Sequence, residues 1–503
     1  MWWNYLLALA ALPMTALCAK EGQSAKEACA NLNEKHSDIT YGGLHPKYIN
    51  ANTEYYTSSA WLGPACVFEP TTSAQLSSAV QILKNLSTPF AIRGGGHMPI
   101  ADAANINSSG VLISSFGLNQ LKLSEDQSTV NVGPGNRWSN IYDYLEPHGL
   151  TVVGGRLGHV GVPGYVLGGG VSFFSNEYGW ASANVASFTC VLASGKIVKA
   201  TPDNEYSDLF WALRGGSSSF ALVTNFELKT IKAPGVMVGQ ASYGSDVAEE
   251  FISAVHDFTM SAHKDPKAAT IPLVEYIPAL GKPSYNAMLF YNGKNETPGA
   301  LSSFLGNPDM KPSSNSFKYR SMSQWSKELD PAMGLLKGSK QRFYVLNIHA
   351  KDKKAIQIVH DTYLSVAKES IPSGVLVAAL AFPAVTEKYI TASRVNGGDP
   401  QSLDLDGAPY IWVEESITSL ATVKDEDVDA FYEKANAEIK KNLDAAGIEM
   451  AKFIYLNDAN PSQSVFDTFD PVNVQRLKKI RAKYDPNRVF TDLMPGGFKV
   501  ERD

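Results

Sequence analysis

The sequence predicts an α+β protein built from two large parts. Three observations carry that prediction. Between about residues 60 and 232, short apolar segments alternate with helical stretches and are punctuated by glycine. After Pro234 the pattern changes to longer apolar strands alternating with amphipathic helices. The chain of 503 residues is 44% hydrophobic and 19% charged, so it has apolar mass enough for large cores. The same composition excludes a disordered chain, a coiled coil and a collagen. A formal net charge of -6 gives no basic excess for nucleic acid or an acidic membrane, and neither is expected as a partner.

The N-terminus comes first. Tyr5 to Leu17 is almost wholly apolar, and Ala16-Leu17-Cys18 fits a small-x-small cleavage site. The run is too short to span a bilayer and Pro13 interrupts it. Residues 1–18 are therefore read as a signal peptide and the protein as secreted. Cleavage would remove Cys18 and leave Cys29, Cys66 and Cys190. Cys29 and Cys66 lie in the N-terminal region and are paired as a disulfide. Cys190, within the apolar run SFTCVLASG, reads as a buried, inert thiol. Asn85, Asn107 and Asn295 head glycosylation sequons, which suit a secreted chain.

Residues from about 20 to 60 read as polar and irregular. The segment TTSAQLSSAVQILKNLS then offers N-caps at Thr72 and Ser73, with Leu76, Val80, Leu83 and Leu86 at helical spacing. Next come the short strands PFAIR, GVLISSF, TVNVG and LTVVGG. A hairpin turned at Ser194-Gly195 follows, and then a helix, a glycine break and a strand in DLFWALRGGSSSFALVTNFELKTIK. Beyond Pro234, ATIPLVEYI, SYNAMLFYNG, RFYVLNIHAK, GVLVAALAF and APYIWVEESI predict a sheet of about five strands backed by helices such as VAEEFISAVHDFTM. VNVQRLKKIRAKYDP reads as a terminal amphipathic helix.

Several signatures are absent: there is no P-loop, HExxH, GxSxG, CxxC or Rossmann GxGxxG in its proper setting, and no metal site is expected. What stands out is glycine where backbone must approach something closely: Gly94-Gly95-Gly96, Gly133 and Gly135, Gly154-Gly155, Gly161 and Gly164, Gly168-Gly169-Gly170, and Gly215-Gly216. Each group alone could be a turn. Together they point to one long ligand in an extended groove. His97 ends the strand RGGGH beside three residues without side chains, an uncrowded place for an imidazole to attack an electrophile.

RGGGH, GGRLGHVGVPGYVLGGGVSFFSNEYGWASANV, FWALRGGSSSFALVTNFEL and the terminal YLNDAN and KYDPNRVF resemble the FAD-linked oxidases of the vanillyl-alcohol-oxidase-like superfamily. Within it they are most similar to the berberine-bridge-enzyme-like branch in its secreted fungal form. The resemblance implies a PCMH-type FAD-binding domain over residues 38–232, completed by 451–503, that encloses a substrate domain over 235–450. That domain would carry an antiparallel sheet backed by helices. It implies that His97 bears the flavin covalently through its 8α-methyl carbon, which fixes the ring and raises its oxidising power. It carries cofactor contacts onto Arg93, Gly94, Gly95, Gly96 and Met98, and onto Gly133, Gly135, Gly154, Gly155 and Arg156. Further contacts fall on Val160, Gly161, Val162 and Gly164, on Gly168, Gly169, Gly170, Ser172 and Ser175, and on Tyr178, Gly179, Asn184, Val185, Val223 and Asn457. Some relatives have a second, cysteinyl tether; that position falls on Leu157, so a single tether is expected. The oxygen-access position falls on Val160, a small residue that resembles oxidases, which makes O2 the expected acceptor.

Relatives often end a Y-x-N-Y motif with a tyrosine near the flavin. Here the motif is Tyr455-Leu456-Asn457-Asp458, so Asp458 becomes a candidate general base, with Tyr455 beside it. Strand alternation sets Tyr410, Trp412 and Glu414 on one face and Ile411, Val413 and Glu415 on the other. The apolar company of Glu415 favours Glu414 as the carboxylate facing the ligand. His349 and Arg342 lie on another candidate strand, where His349 reads as structural, while His159 could reach flavin or substrate. Three functions follow: an oxidase passing hydride from a small-molecule alcohol, amine or phenolic secondary metabolite to covalent flavin and on to O2; an oligosaccharide oxidase acting at the reducing-end hydroxyl; or a secreted flavin-binding protein with little turnover. A monomer is expected.

Overall fold

The computed structural model describes residues 12–334 and 336–501; for residues 12–21, 330, 332 and 333 it describes the backbone only. Residues 1–11, most of the expected signal peptide, lie outside the described residues. Among those described, no helix is long and apolar enough to cross a membrane.

The expected α+β architecture is present as three sheets. The first holds strands Thr40–Tyr41, Cys66–Phe68, Val111–Ser114 and Phe90–Arg93 in that order, the last three parallel. Parallel neighbours need a crossover. The helix Ser73–Asn85 supplies it, buries Leu76, Val80 and Leu83, and is closed at its start by a reciprocal cap: Thr72 Oγ1 accepts from Gln75 N at 3.2 Å while Gln75 Oε1 accepts from Thr72 N at 3.2 Å. The second sheet is antiparallel, with Leu222–Lys232 at its centre between Thr129–Val132 and the hairpin Val185–Val191/Ile197–Ala200.

The third sheet has ten strands, against about five expected. Its long strands run Val236–Tyr243, Lys282–Tyr291, Ala268–Ile277, Val375–Ala381, Tyr410–Ser419, Lys340–His349, each antiparallel to its neighbours. Val236–Tyr243 escaped the sequence reading because Gly239 breaks its apolar alternation. A side chain there would collide with the backbone of Phe317. Helices Ala248–Ser261, Lys353–Ser370 and Asp425–Ala445 cover one face with a continuous apolar core. The other face meets the glycine-rich half, where Val345, Ala381 and Phe290 share a core with Phe173, Phe174 and Val166.

A second correction concerns residues 20–60. They are not irregular: helices span Leu12–Lys35 and Pro46–Thr53. Ala25, Ala28 and Leu32 are fully buried at helical spacing against the Ser73–Asn85 helix. Small alanines give little periodic signal, and tertiary packing decides the element. The Cys29–Cys66 disulfide joins this helix to the first sheet, and Cys190 is a free, buried thiol.

The C-terminal segment returns to the first half. Its helix Pro471–Tyr484 lays Arg476 over the Trp211 ring at 3.9 Å, and Tyr484 Oη donates to Asp208 Oδ1 at 2.6 Å. Val489, Phe490 and Met494 enter the core beneath the first sheet with Leu76, Val80 and Phe90.

Candidate active site

One cavity of about 320 Å³ lies between the glycine-rich half, the ten-stranded sheet and the C-terminal segment. The strand Phe90–Arg93 ends at its wall and hands on to Gly94, Gly95, Gly96 and His97. These face the loop Val160–Gly161 and Pro163–Gly164. The two loops touch backbone to backbone: a Cβ on Gly95 would strike Gly161, one on Gly161 would strike Gly95, and one on Gly94 would strike Pro163. Only glycine permits that approach.

His97 lines the cavity. Tyr56 stacks on its ring, with centroids 3.9 Å apart, and His159 meets it edge-on at 4.7 Å. Burial, then His159 and Arg137, hold the His97 imidazole well below its usual range, so it is neutral at pH 7 with a lone pair available. His159 is likewise pushed down to about 4 by burial and Arg137, and both its ring nitrogens are buried without a hydrogen-bond partner. Its backbone carbonyl accepts from Arg137 Nη1.

Glu414, Tyr455 and Asp458 line the same cavity with Phe343 and Arg156. The register Val345↔Glu414 and Leu346↔Val413 puts Glu414 on the face turned to the cavity, while Glu415 enters the helix-covered core. Burial raises both cavity carboxyls above the usual range. The charge of Glu414 pushes Asp458 up further, and Arg156 pulls both down. Asn457 Nδ2 donates to Tyr455 Oη at 2.9 Å and to the Tyr165 carbonyl at 3.2 Å. Tyr455 stacks on Trp412 at 5.1 Å with ring planes 7° apart. The Tyr455-Leu456-Asn457-Asp458 segment is thereby fixed from both sides.

The cavity also gathers Met98, Gly155, Val160 and Val223 from the expected set. Other members of that set do not line it. The Arg93 guanidinium turns away, donating to the carbonyls of Ala51 (2.9 Å) and Glu54 (3.1 Å) over the Phe116 ring. This anchors the segment that presents Tyr56, whose N–H donates to Gly96 O at 2.9 Å. Gly133 and Gly135 pack on the backbone of Leu118 and Ser115, and Gly154 on Trp138 and Tyr142. Gly168, Gly169 and Gly170 pack on Asn457, Gln401 and Tyr165, Gly179 on the backbone of Ser393, and Gly215 and Gly216 on Gln401 and Ala212. Ser175 Oγ accepts from Ser172 N, and Asn184 Nδ2 donates to the carbonyls of Tyr178 and Trp180. Val162 opens a helix with its side chain in the core, and Val185 begins a core strand. These glycines and polar groups serve chain-on-chain contact, so the six glycine groups do not all border one groove.

His349 Nδ1 faces the Gly407 carbonyl at 3.0 Å, and Arg342 pairs with Asp429, both as structural groups. Sequence reasoning missed Tyr56, Tyr165, Phe343, Ser217–Ser218 and the terminal Gly496-Gly497-Phe498-Lys499, all of which line the cavity. The double aromatic at Tyr55-Tyr56 and the glycine pair before Phe498 were the available signals. Among the described residues, no group of three or more His, Cys, Asp or Glu could hold a metal ion.

A cavity walled by touching glycine loops, with a neutral imidazole and a buried lysine in its lining, fits FAD. A family model described as an FAD binding domain matches residues 64–201. The FAD-dependent monooxygenase prx3 of Penicillium roqueforti is 30% identical over 497 residues, covering 96% of this chain and 95% of that one. Two solved structures share the fold. The 6-hydroxy-D-nicotine oxidase of Arthrobacter nicotinovorans has a TM-score of 0.75, with 18% identity, 92% of this chain and 98% of that one covered. The glucooligosaccharide oxidase of Acremonium strictum, described with a 6-S-cysteinyl, 8α-N1-histidyl FAD, has a TM-score of 0.74, with 18% identity and coverage of 95% and 99%. Fold and site thus define an FAD-dependent oxidoreductase. The chain belongs to the FAD-linked flavoproteins of the vanillyl-alcohol-oxidase type.

Proposed function

We propose that the protein is an oxidase of small-molecule alcohols, amines or phenolic secondary metabolites, with O2 as acceptor and H2O2 as product. The observation that carries this is the meeting of a neutral His97 with the Glu414/Asp458 carboxyl pair in one cavity. When bound, FAD supplies the hydride acceptor. His97 is the attachment residue for the flavin 8α carbon; a single tether is supported by Leu157, a residue without a thiol that lines the same cavity and that the sequence count set at the second-tether position. Glu414 and Asp458 titrate as a unit: one keeps its proton, and the other takes the proton from a substrate O–H or N–H. Phe343 and Tyr56 line the cavity with them, and Tyr455 with Asn457 positions Asp458. Residues 38–232 and 451–503 form the FAD-holding domain and 235–450 the substrate domain, a division supported by the return of the C-terminal helix onto Trp211 and Asp208. A secreted, glycosylated chain is supported by the Cys29–Cys66 disulfide and by exposed Asn85, Asn107 and Asn295.

Oligosaccharide oxidation at the reducing end is the competing substrate class. Against it, the long central strands of the large sheet bring only Phe343 and Glu414 to the cavity, one aromatic ring and one carboxyl group. The test pairs two measurements. Denatured protein on a gel under ultraviolet light is expected to fluoresce, and His97→Ala to be dark. A peroxide-coupled screen is expected to respond to alcohols, amines or phenols. A response to oligosaccharides alone overturns the substrate class, and an unchanged fluorescent band in His97→Ala overturns the tether.

A further inference from the structure

Tyr56, Tyr165 and Tyr455 line the cavity. Two of them have their hydroxyls engaged within the chain. Tyr165 Oη donates to the Gly154 carbonyl at 3.1 Å, and Tyr455 Oη accepts from Asn457 Nδ2 at 2.9 Å. The Tyr56 hydroxyl differs: among the described residues it has no hydrogen-bond partner. Its ring is nonetheless firmly placed. It stacks on His97 at 3.9 Å, and its backbone N–H donates to Gly96 O at 2.9 Å. To either side, Tyr55 Oη donates to the Ala104 carbonyl at 2.9 Å, and Thr57 Oγ1 accepts from Gln341 N at 3.2 Å. Ser58 N donates to Ser339 O at 3.0 Å. The chain thus fixes the ring and leaves the hydroxyl uncommitted.

That half-buried side chain faces the carboxyl pair. The Phe343 ring lies 6.0 Å from the Tyr56 ring. The register pairs Val345 with Glu414 and Phe343 with Ser416, so Phe343 and Glu414 are diagonal neighbours on one face of the sheet. Burial, and after it the charge of Glu414, raises the Tyr56 phenol above its usual range. Tyr56 is therefore a neutral O–H donor. A hydroxyl taken out of water costs free energy until it finds a partner, and a ligand in the cavity supplies the one the chain does not.

Resting on the reading of this site as an oxidase, we propose that the Tyr56 hydroxyl is a catalytic donor to the substrate oxygen, and that it makes the site selective for hydroxyl substrates, alcohols and phenols, over amines. When an alcohol is oxidised, its O–H proton passes to the Glu414/Asp458 pair, the hydride leaves its carbon for the flavin, and C–O becomes C=O. Negative charge gathers on the oxygen as the proton departs, and a donor already fixed there stabilises it. A phenol losing its proton gathers the same charge. Tyr56 keeps its own proton throughout. An amine is oxidised with the opposite demand: its nitrogen lone pair expels the hydride, and the nitrogen becomes positive. A donor aimed at that lone pair holds it back.

Tyr56→Phe tests this, because it keeps the ring on His97 and removes one oxygen atom. Flavin-loaded wild type and variant are compared in a peroxide-coupled panel of benzylic alcohols, alkylphenols and the benzylic amines of the same carbon skeletons. The denatured variant is expected to keep its fluorescent flavin band, and the native variant its Tm. Its kcat/KM on hydroxyl substrates is expected to fall at least ~10-fold, the scale of a lost hydrogen bond to a charged group. The fall is expected in kcat more than in KM, because the donor acts most on the charged transition state. Turnover of amines is expected to be absent in the wild type, or to survive in the variant undiminished. Equal losses on hydroxyl substrates and amines, a loss confined to KM, or no loss on hydroxyl substrates overturns the proposal. Loss of the flavin band also overturns it, since the hydroxyl would then serve flavin attachment. A wild type that oxidises amines alone overturns it and leaves the oxidase reading standing. A wild type silent on the whole panel overturns that reading, and this proposal with it.

Discussion

At the scale of single residues, the strand Tyr410–Ser419 sets two adjacent carboxyls in opposite surroundings. Glu414 faces the cavity, and its charge raises Asp458. Because both are raised, the protonated forms persist above the ordinary carboxylate range, and the base appears only as pH climbs through that raised value. Turnover is therefore expected to rise with pH on its acid side. Glu414→Gln and Asp458→Asn should each lower kcat by roughly 10²–10⁴-fold, the usual worth of a positioned acid or base, and shift or abolish that limb. A pH profile of kcat for both variants checks this. Glu415 faces the other way, fully buried beside Tyr344, Tyr363 and Tyr432. Burial pushes it up to about 8, eased by the Asn436 amide. The unfolded chain would bind fewer protons than the native one between the ordinary value of 4.5 and about 8. Stability is then full below 4.5 and falls as pH rises to about 8, by on the order of 1.4 kcal/mol per unit at most. Glu415→Gln should remove that slope and raise Tm more at pH 8 than at pH 5. An equal change at both pH values would contradict it.

At the scale of elements, the helix Ser73–Asn85 was legible in sequence because cap and stripe agree: Thr72 and Gln75 close its first turn, and Leu76, Val80 and Leu83 share one face. Thr72→Ala should destabilise the protein by about 1 kcal/mol by urea denaturation, since the Gln75 backbone N–H loses its acceptor. The strand Tyr410–Ser419 was legible for a similar reason, as period-two alternation assigns its faces without further information. The helix Leu12–Lys35 was not legible, because its buried side chains are mostly alanine and its partner lies some fifty residues on. The strand Val236–Tyr243 was hidden by a glycine whose purpose, the approach of Phe317, exists only in the folded chain.

At the scale of the whole molecule, distant segments converge. The Cys29–Cys66 bridge closes a separation of 37 residues and ties the first helix to the first sheet. Loop closure of that length removes about 4 kcal/mol of unfolded-state entropy in the chain-entropy description. The double Cys29→Ser/Cys66→Ser variant should lose stability on that order, measured as a lower urea midpoint in non-reducing buffer, while Cys190→Ser shows no such loss. The cavity itself draws on residues from Tyr56 to Lys499, across nearly the entire chain. By itself the sequence determined the α+β class, the cofactor family, His97 just beyond the strand Phe90–Arg93, and the face of Glu414. Each of these is written in local periodicity or in a contiguous motif. Only the tertiary structure decided which glycines border the cavity and which merely let protein pack on protein, since both uses demand the same missing Cβ. It also decided that Arg93 turns away to hold the Tyr56 segment, and that Lys499 reaches the cavity wall. Those facts depend on contacts between residues far apart in sequence, which no local pattern records.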